Sequence, residues 1–545
     1  MSSNVSRRKF FQTAALSSTS LALGSRLLAR PSTQPARAEL RSFLPAEISM
    51  NPTGYYARMF AARKGSTQGS PVEKGLEELG RAMRDDDDQA SDGAAYAGYT
   101  YLGQFIDHDL TLDLTPLEAA TPEMDRTPNF RTPFLDLDQV YGGGPNLSPF
   151  LYRIEPTRPG TERFLIGKTV KVKGLEASED DLPRSADGIA LTGDPRQDEN
   201  LILAQLHVAC LKLHNKVIAE PDRLERSQYY RNGKGGTKLT DFEATRRLVT
   251  WHYQWIVRHD YLQQMIDPNV FEQLEQYQSG STRTAFQIPV EFSVAAFRFG
   301  HSMVRNSYGY NDNHEHVDLQ CLLALTGPGS KAIPCNEYPH SKDVPFALPA
   351  DWVIDWRHFF LLGVSPLRHI VSSRKIDTKI ANGLHGLTRQ TTRQFSASLA
   401  TAPAPEPPLP VKSLLRGARV GLPSGQDAAK ALKITPIASD KIAPGPHEEI
   451  LKRHGFDKDT PLWYYILKEA ELLADGKHLG PVGSRIVSDV IVSAVEADPN
   501  SYLSVAGKDW QPTLPGAEGS ISEGTVSFGM RDLLEFIFPE LKGPA

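Results

Sequence analysis

Gly103-Gln104-Phe105-Ile106-Asp107-His108-Asp109-Leu110-Thr111-Leu112 sets one histidine between two carboxylates. If the run is helical, successive side chains point about 100° apart, so Asp107, His108 and Asp109 face three directions and cannot all serve one metal. Gln104 lies one turn before His108 and shares its face. Further along, Glu291-Phe292-Ser293-Val294-Ala295-Ala296-Phe297-Arg298-Phe299-Gly300-His301-Ser302 puts a second histidine in an otherwise apolar helical stretch. Gly300, just before it, lets a flat ring approach the backbone closely. Taken singly, each histidine has a plain reading: a solvated or capped helix end for His108, a satisfied core histidine for His301.

Around these two segments the periodicity is helical, at 200–218, 242–265, 292–304 and 462–473. Strand signals are sparse. Residues 164–173 alternate and are β-branched enough for a short hairpin, between a loop rich in Pro and Gly and the acidic Glu179-Asp180-Asp181. The expected fold is therefore mainly α with few short strands. Apolar residues make up 40% and charged residues 23% of the 545, the balance of a soluble globular chain with a folded core. A net charge of −5 gives no basic field to draw nucleic acid or an anionic membrane surface.

Ser6-Arg7-Arg8-Lys9-Phe10-Phe11 precedes a mildly apolar stretch at 13–28, and Ala36-Arg37-Ala38 follows as a small-x-small cleavage site. That pattern reads as a twin-arginine export signal over 1–38, leaving 39–545 as one catalytic domain, found in the periplasm or secreted. The stretch is too short and too polar for stable membrane insertion. The twin-arginine export machinery, the expected partner, carries folded proteins, which suits a cofactor inserted before export. Cys210, Cys321 and Cys335 are too few for a disulfide framework; Cys321 and Cys335 can pair after export, with buried inert thiols as the default. Asp85-Asp86-Asp87-Asp88 reads as a solvated loop and 401–410 as an extended Pro/Ala connector. His314-Glu315-His316 reads as an exposed polar loop, and His207 and His214 as packing residues on one helix.

GQFIDHDLTLD followed by EFSVAAFRFGHSMV resembles the distal and proximal histidine motifs of the animal-type haem peroxidases, the peroxidase–cyclooxygenase superfamily. Gly193-Asp194-Pro195-Arg196-Gln197-Asp198-Glu199-Asn200 resembles the segment bearing that family's catalytic arginine, and the blocks at 414–426 and 462–498 resemble its bacterial members. The resemblance runs from about residue 51 to near the C-terminus and implies a large single-domain helical haem peroxidase fold. It makes His301 the axial ligand of a haem b iron, with the opposite position open to hydrogen peroxide. His108 would take a proton from the peroxide and return it to the departing oxygen. Arg196 would stabilise the charge developing as the O–O bond breaks, and Gln104 would position peroxide or halide.

The same resemblance matches Asp107 and Glu199 to the carboxylates that form ester links to the haem. Asn200 stands where a methionine would supply a third, sulfonium link, so bromide, iodide, thiocyanate or aromatic donors are expected in place of chloride. Arg298 and Arg416 match arginines that pair with haem propionates. Thr132, Phe134, Asp136 and Asp138, with Asp109, match a calcium site. Ser413 stands where the family usually has an asparagine bonded to the proximal histidine, which implies less imidazolate character there. Two rival readings carry different chemistry: a fatty-acid dioxygenase of the same superfamily, and a secreted binding protein that has lost catalysis. Arg298 stands where a cyclooxygenase-like dioxygenase places a tyrosine, and retention of His108, Arg196 and His301 disfavours a catalytic remnant.

Overall fold

A computed structural model describes residues 54–545 except 86–91, 118–119, 121–126, 187, 221–228, 230–237, 277–285, 325, 327–346, 364–369, 386–406, 516–527 and 543–545. The export signal, Asp86, Asp87, Asp88, Cys335 and part of the Pro/Ala connector lie outside the described residues.

Helices dominate, and each sheet among the described residues has only two strands. Helix α1, Pro71–Ala82, opens behind Ser70, whose side chain accepts from the Glu73 amide. It packs on α7, Leu409–Arg419. Their contact is pinned by the buried ion pair of Arg419 and Glu73, Nε to Oε1 2.7 Å. Helix α2, Ala97–Leu110, carries the first histidine motif and is buried along almost its whole length. Gly103 is needed there: a Cβ would lie 2.5 Å from the Tyr261 hydroxyl. Helix α3, Leu201–Ile218, begins at Asn200, whose side chain accepts from the Leu203 amide at 2.9 Å. Its nearly continuous apolar surface makes it a core element, packed on α2.

Helix α4, Asp241–Trp255, starts with a capping box between Thr240 and Glu243 and runs on through a π-helical turn, Ile256–Tyr261, to Met265. The expected helix over 292–304 is instead three short pieces: α5, Val290–Val294, a 3-10 turn, Ala296–Phe299, and α6, Gly300–Met303. The break has an identifiable cause. Ala295 leaves the helical region at φ −131°, ψ −69°. The carbonyls of Ser293 and Arg298 are taken by the Arg298 Nε at 3.0 Å and the Trp463 indole N–H at 3.1 Å. Helices α8, Leu462–Ala474, and α9, Pro481–Glu496, close the core behind α5 and the 3-10 turn.

Two further expectations change. The hairpin is not within 164–173: Arg163–Phe164 pairs antiparallel with Tyr152–Arg153, while Val170 bridges to Pro349 and Gly167 to Asp181. The alternating pattern there serves partners distant in sequence, which local periodicity cannot reveal. The connector also ends sooner than expected, because Leu409 already starts α7 with Pro410 in its first turn, where a missing N–H costs nothing. Asp85 is not simply solvated but pairs with the buried Arg374. Cys321 is disulfide-bonded, so the inert-thiol default holds only for the free Cys210.

Candidate functional site

The three directions expected for Asp107, His108 and Asp109 are realised. Asp107 accepts from Thr111 Oγ1 at 3.0 Å, and burial pushes its carboxyl above the usual range. His108 is buried; burial and the neighbouring Arg196 charge hold its imidazole well below the ordinary histidine range, so it is neutral at neutral pH. Its Nδ1 lies 3.5 Å from Gln197 Nε2 and its Nε2 3.8 Å from Glu199 Oε2. Gln104 shares the His108 face as expected, but it is also tied down, donating to Glu199 Oε2 at 3.3 Å and accepting from Asn200 Nδ2 at 3.0 Å.

Arg196 sits in a 3-10 turn, Pro195–Asp198, capped by Asp194. Asp194 is fully buried and takes the Arg196 guanidinium in a fork, Nη2 to Oδ2 at 2.7 Å and Nε to Oδ1 at 3.1 Å. Nη2 also donates to the carbonyls of His108, 3.2 Å, and Thr111, 2.7 Å, which locks the arginine to the end of α2. Although burial opposes it, Arg196 holds Asp194 well below the usual carboxylate range. Asp194 and Gln197 are functional neighbours that motif matching passed over; the signal for them is their position beside Arg196 in the same turn. Glu199 lies inside the fold yet presents 35% of its side chain to open space, and burial pushes its carboxyl up to about 7.

The second histidine segment meets the first in one place. Helix α6 packs on α2, and the Arg298 guanidinium senses Asp107 electrostatically. Burial, then the Arg298 charge, pushes His301 down to about 3, so its imidazole is neutral at neutral pH. Its Nδ1 is buried without a hydrogen bond. Ser413, the residue placed to supply one, accepts instead from Arg298 Nη1 at 3.3 Å. Arg298 has no carboxylate within ion-pair distance among the described residues, and burial, then Arg416, lower its affinity for its own proton. Arg416, by contrast, is already engaged by Asp113 and by the Thr115 carbonyl at 2.9 Å. A Cβ built at Gly300 would meet nothing within 4 Å.

These residues fit a haem. An open space beside Gly300, a neutral imidazole at His301, a half-buried cation at Arg298 with no described carboxylate in ion-pair reach for a propionate, and two carboxylates at Asp107 and Glu199 are a donor set that suits such a group. Arg416 can serve a propionate only by sharing itself with Asp113.

Asp109, Asp136 and Asp138 converge, with one oxygen from each lying within 4.8 Å of the others. Leu137, held between the two loop carboxylates in the left-handed region at φ 58°, donates its amide to Asp109 Oδ2 at 3.3 Å. Asp109 Oδ1 is buried with no hydrogen bond. Thr132 and the Phe134 carbonyl lie on the same loop, 3.4 Å apart. Burial pushes Asp136 up to about 6 and Asp138 up to about 7, and burial together with Asp136 and Asp138 raises Asp109 well above its usual range. Crowded oxygens of this kind fit a hard cation such as calcium. The loop also connects to the distal side: Arg131 pairs with Asp138 at 2.9 Å and reaches Asp194 at 3.4 Å.

A pH dependence follows with a definite sign. Without a cation, carboxyls whose folded pKa is raised favour folding below the unfolded carboxylate range and lose that contribution as pH rises through about 6 to 7. Chelated protein is therefore expected to lose thermal stability between pH 5 and 7.5, measured as Tm. Added calcium is expected to restore about 2.7 kcal/mol at pH 7.5 when free calcium is ~100 times its Kd there, and less at pH 5, where protonation weakens binding. An equal Tm with and without chelator at both pH values would remove calcium from the loop.

The other histidines behave as structural groups. His314 packs on Trp352 and contacts Asp351 at 3.3 Å, and His214 bonds the Tyr141 hydroxyl at 3.1 Å. His207 is buried, with burial pushing it down to about 3.

Residues 115–326 match the family model described as animal haem peroxidase. Thyroid peroxidase of Mus musculus is 29% identical over 219 residues, 38% of this chain and 22% of that protein. A peroxidase-like protein of Margaritifera margaritifera is 26% identical over 204 residues, 36% of this chain and 24% of its own length. The matches thus span a quarter or less of these relatives. Among solved structures, peroxidase A from Dictyostelium discoideum aligns with TM-score 0.55 and 15% identity, covering 85% of this chain and 89% of that one. A fatty acid alpha-dioxygenase of Oryza sativa aligns with TM-score 0.59 and 13% identity, covering 94% and 87%. At these identities the two structures speak for the fold alone. No described helix is long and apolar enough to cross a membrane.

Proposed function

We propose that the chain, which matches the animal haem peroxidase family model over residues 115–326, is a haem-dependent peroxidase of that family. It would reduce hydrogen peroxide and oxidise bromide, iodide, thiocyanate or small aromatic donors. The observation that carries this reading is the neutral, buried His108 beside a charged Arg196 clamped by Asp194, facing a segment whose His301 is also neutral. A haem would be held by His301, with Asp107 and Glu199 as the carboxylates able to form ester links, and would supply the capacity to accept and release electrons.

The chain's own residues handle protons and charge. His108, neutral at neutral pH, takes a proton from hydrogen peroxide on its ring and returns it to the departing oxygen. Before any ester forms, the Glu199 carboxyl lies 3.8 Å from His108 Nε2 and, with its raised affinity for a proton, can share one with it. Arg196 keeps its charge because Asp194 neutralises the cost of burying it, and it is fixed before any substrate arrives. Gln104 fixes the position of Glu199 and of the entering peroxide. Arg298 would hold a propionate, and Asp109, Thr132, Phe134, Asp136 and Asp138 would hold calcium at the end of the distal helix.

The dioxygenase reading is weaker, because Arg298 stands in place of the tyrosine it needs and Arg196 favours O–O cleavage. A twin-arginine signal at Arg7-Arg8 supports export to the periplasm or medium. The test is peroxide consumption by haem-loaded protein with each donor at pH 7. Bromide, thiocyanate or an aromatic donor is expected to support turnover and chloride to give little, since Asn200 stands in place of methionine. Substantial chlorination would sink the donor assignment, and fatty-acid-driven oxygen uptake without peroxide would restore the dioxygenase.

A further inference from the structure

His301 carries a ring nitrogen with nothing to hold it. Nδ1 is buried without a hydrogen bond, and the hydroxyl of Ser413 instead accepts from Arg298. An imidazole in that position is usually oriented through its second nitrogen, and when nothing takes that N–H something else must fix the ring plane. What lies against it is Trp463, 2% exposed on the first turn of α8, with ring centroids 6.0 Å apart and planes at 78°. The edge-to-face arrangement is one in which aromatic rings attract beyond simple burial. The indole N–H donates to the Arg298 carbonyl at 3.1 Å, in the 3-10 turn that leads directly into His301.

We propose that Trp463 is the positioning residue of the proximal histidine, orienting the His301 ring by edge contact and its backbone by the hydrogen bond to Arg298, in place of a hydrogen bond to Nδ1. The inference rests on the haem reading for its consequence but not for its geometry. One indole reaches both the ring and the turn before it, so ring plane and backbone are set together. The consequence is electronic. With Nδ1–H unshared, the imidazole stays a neutral donor with little imidazolate character, which favours the ferrous iron more than a hydrogen-bonded imidazole would. The positive charge of Arg298, whose guanidinium is held by Ser293 and Ser413, acts on the ring in the same direction.

The test has two arms on the full chain. In haem-free protein labelled with 13C-histidine, the His301 signal is assigned by its loss in His301→Gln. Trp463→Leu is expected to shift that signal and split it as the ring samples several orientations. Trp463→Phe, which keeps a ring but loses the N–H donor, is expected to give a smaller shift. In haem-loaded protein, the ferrous iron–imidazole stretch is expected to be a single narrow band in the wild type, to broaden in Trp463→Leu, and to recover partly in Trp463→Phe. Haem dissociation from Trp463→Leu should be faster by roughly 10-fold, the lower range for losing a group that orients a metal ligand. A His301 signal unmoved in both variants would overturn the proposal. If Trp463→Leu does not fold, an unmoved signal in Trp463→Phe together with an unchanged iron–imidazole band would overturn it. Wild-type protein that takes up no haem would defeat the peroxidase reading instead, and the haem-free arm would still decide the role of Trp463.

Discussion

Replacing His301 by alanine is expected to abolish stable haem binding while leaving the fold intact. The segment around it is held by contacts that do not involve the imidazole: the Trp463 bond to the Arg298 carbonyl, the Ser302 hydroxyl on the Phe299 carbonyl at 2.9 Å, and the Phe297–Phe292 stack at 4.5 Å. Its ring forms no hydrogen bond through Nδ1 whose loss would leave a partner stranded. Haem affinity should fall by at least roughly 100-fold, the upper range seen on removing even a group one step behind a metal ligand. The Soret band at stoichiometric haem, read beside far-ultraviolet circular dichroism, separates loss of the ligand from loss of the fold. Full haem retention with an unaltered spectrum would place the axial ligand elsewhere.

The second large effect is expected at Arg196, and its form distinguishes charge from packing. Arg196→Gln removes the positive charge and the Asp194 fork together, leaving a fully buried carboxylate beside His108 that keeps the backbone amide of residue 196 and, as its remaining described ion-pair partner, Arg131. Two consequences follow. The rate with peroxide should fall by about 100- to 1,000-fold, the cost of losing one preorganised donor at a site of developing charge. The acid limb of the pH profile should also move upward: the Arg196 charge holds the His108 pKa down, so its removal makes the imidazole protonate, and stop accepting a proton, at higher pH. Arg196→Lys should recover part of the pH profile but little of the rate, because an ammonium cannot reproduce the fork to Asp194 and the two carbonyls. His108→Ala belongs beside these variants as a control, with a loss of roughly 100- to 10,000-fold if it is the proton carrier. Haem content should be unchanged in all three, and a variant that loses peroxide reactivity only in proportion to lost haem would count against a distal role.

What could be read from the sequence is what lies close along the chain. The helical period predicts α3, α4 and α8 because each buries most of a continuous run. The 100° step in a helix is enough to send Asp109 to the acidic loop and His108 to the Arg196 turn. The same local rule fails at 292–304, where the periodicity is helical but side chains from Arg298 and α8 capture the carbonyls that a helix would use. Nothing within that stretch announces Trp463, which arrives from a distant part of the chain. Asp194 is a different kind of omission. It sits two residues from Arg196 and was visible as a motif position, yet its task as the buried counter-ion appears only when burial is known. Arg416 and Ser413 illustrate the limit from the other side, since a match by position does not reveal that Asp113 and Arg298 have first claim on them.

The most direct test of the central claim is the absorption spectrum of the purified, haem-supplemented protein before and after one equivalent of hydrogen peroxide. A ferric Soret band that changes within seconds of peroxide addition and returns when bromide or an aromatic donor is added is the expected result, and it would tie His108, Arg196 and His301 to one peroxidase cycle. A protein that takes up no haem, or a bound haem that peroxide leaves unmoved, would contradict the account and leave a helical fold that carries the residues of a peroxidase without its chemistry.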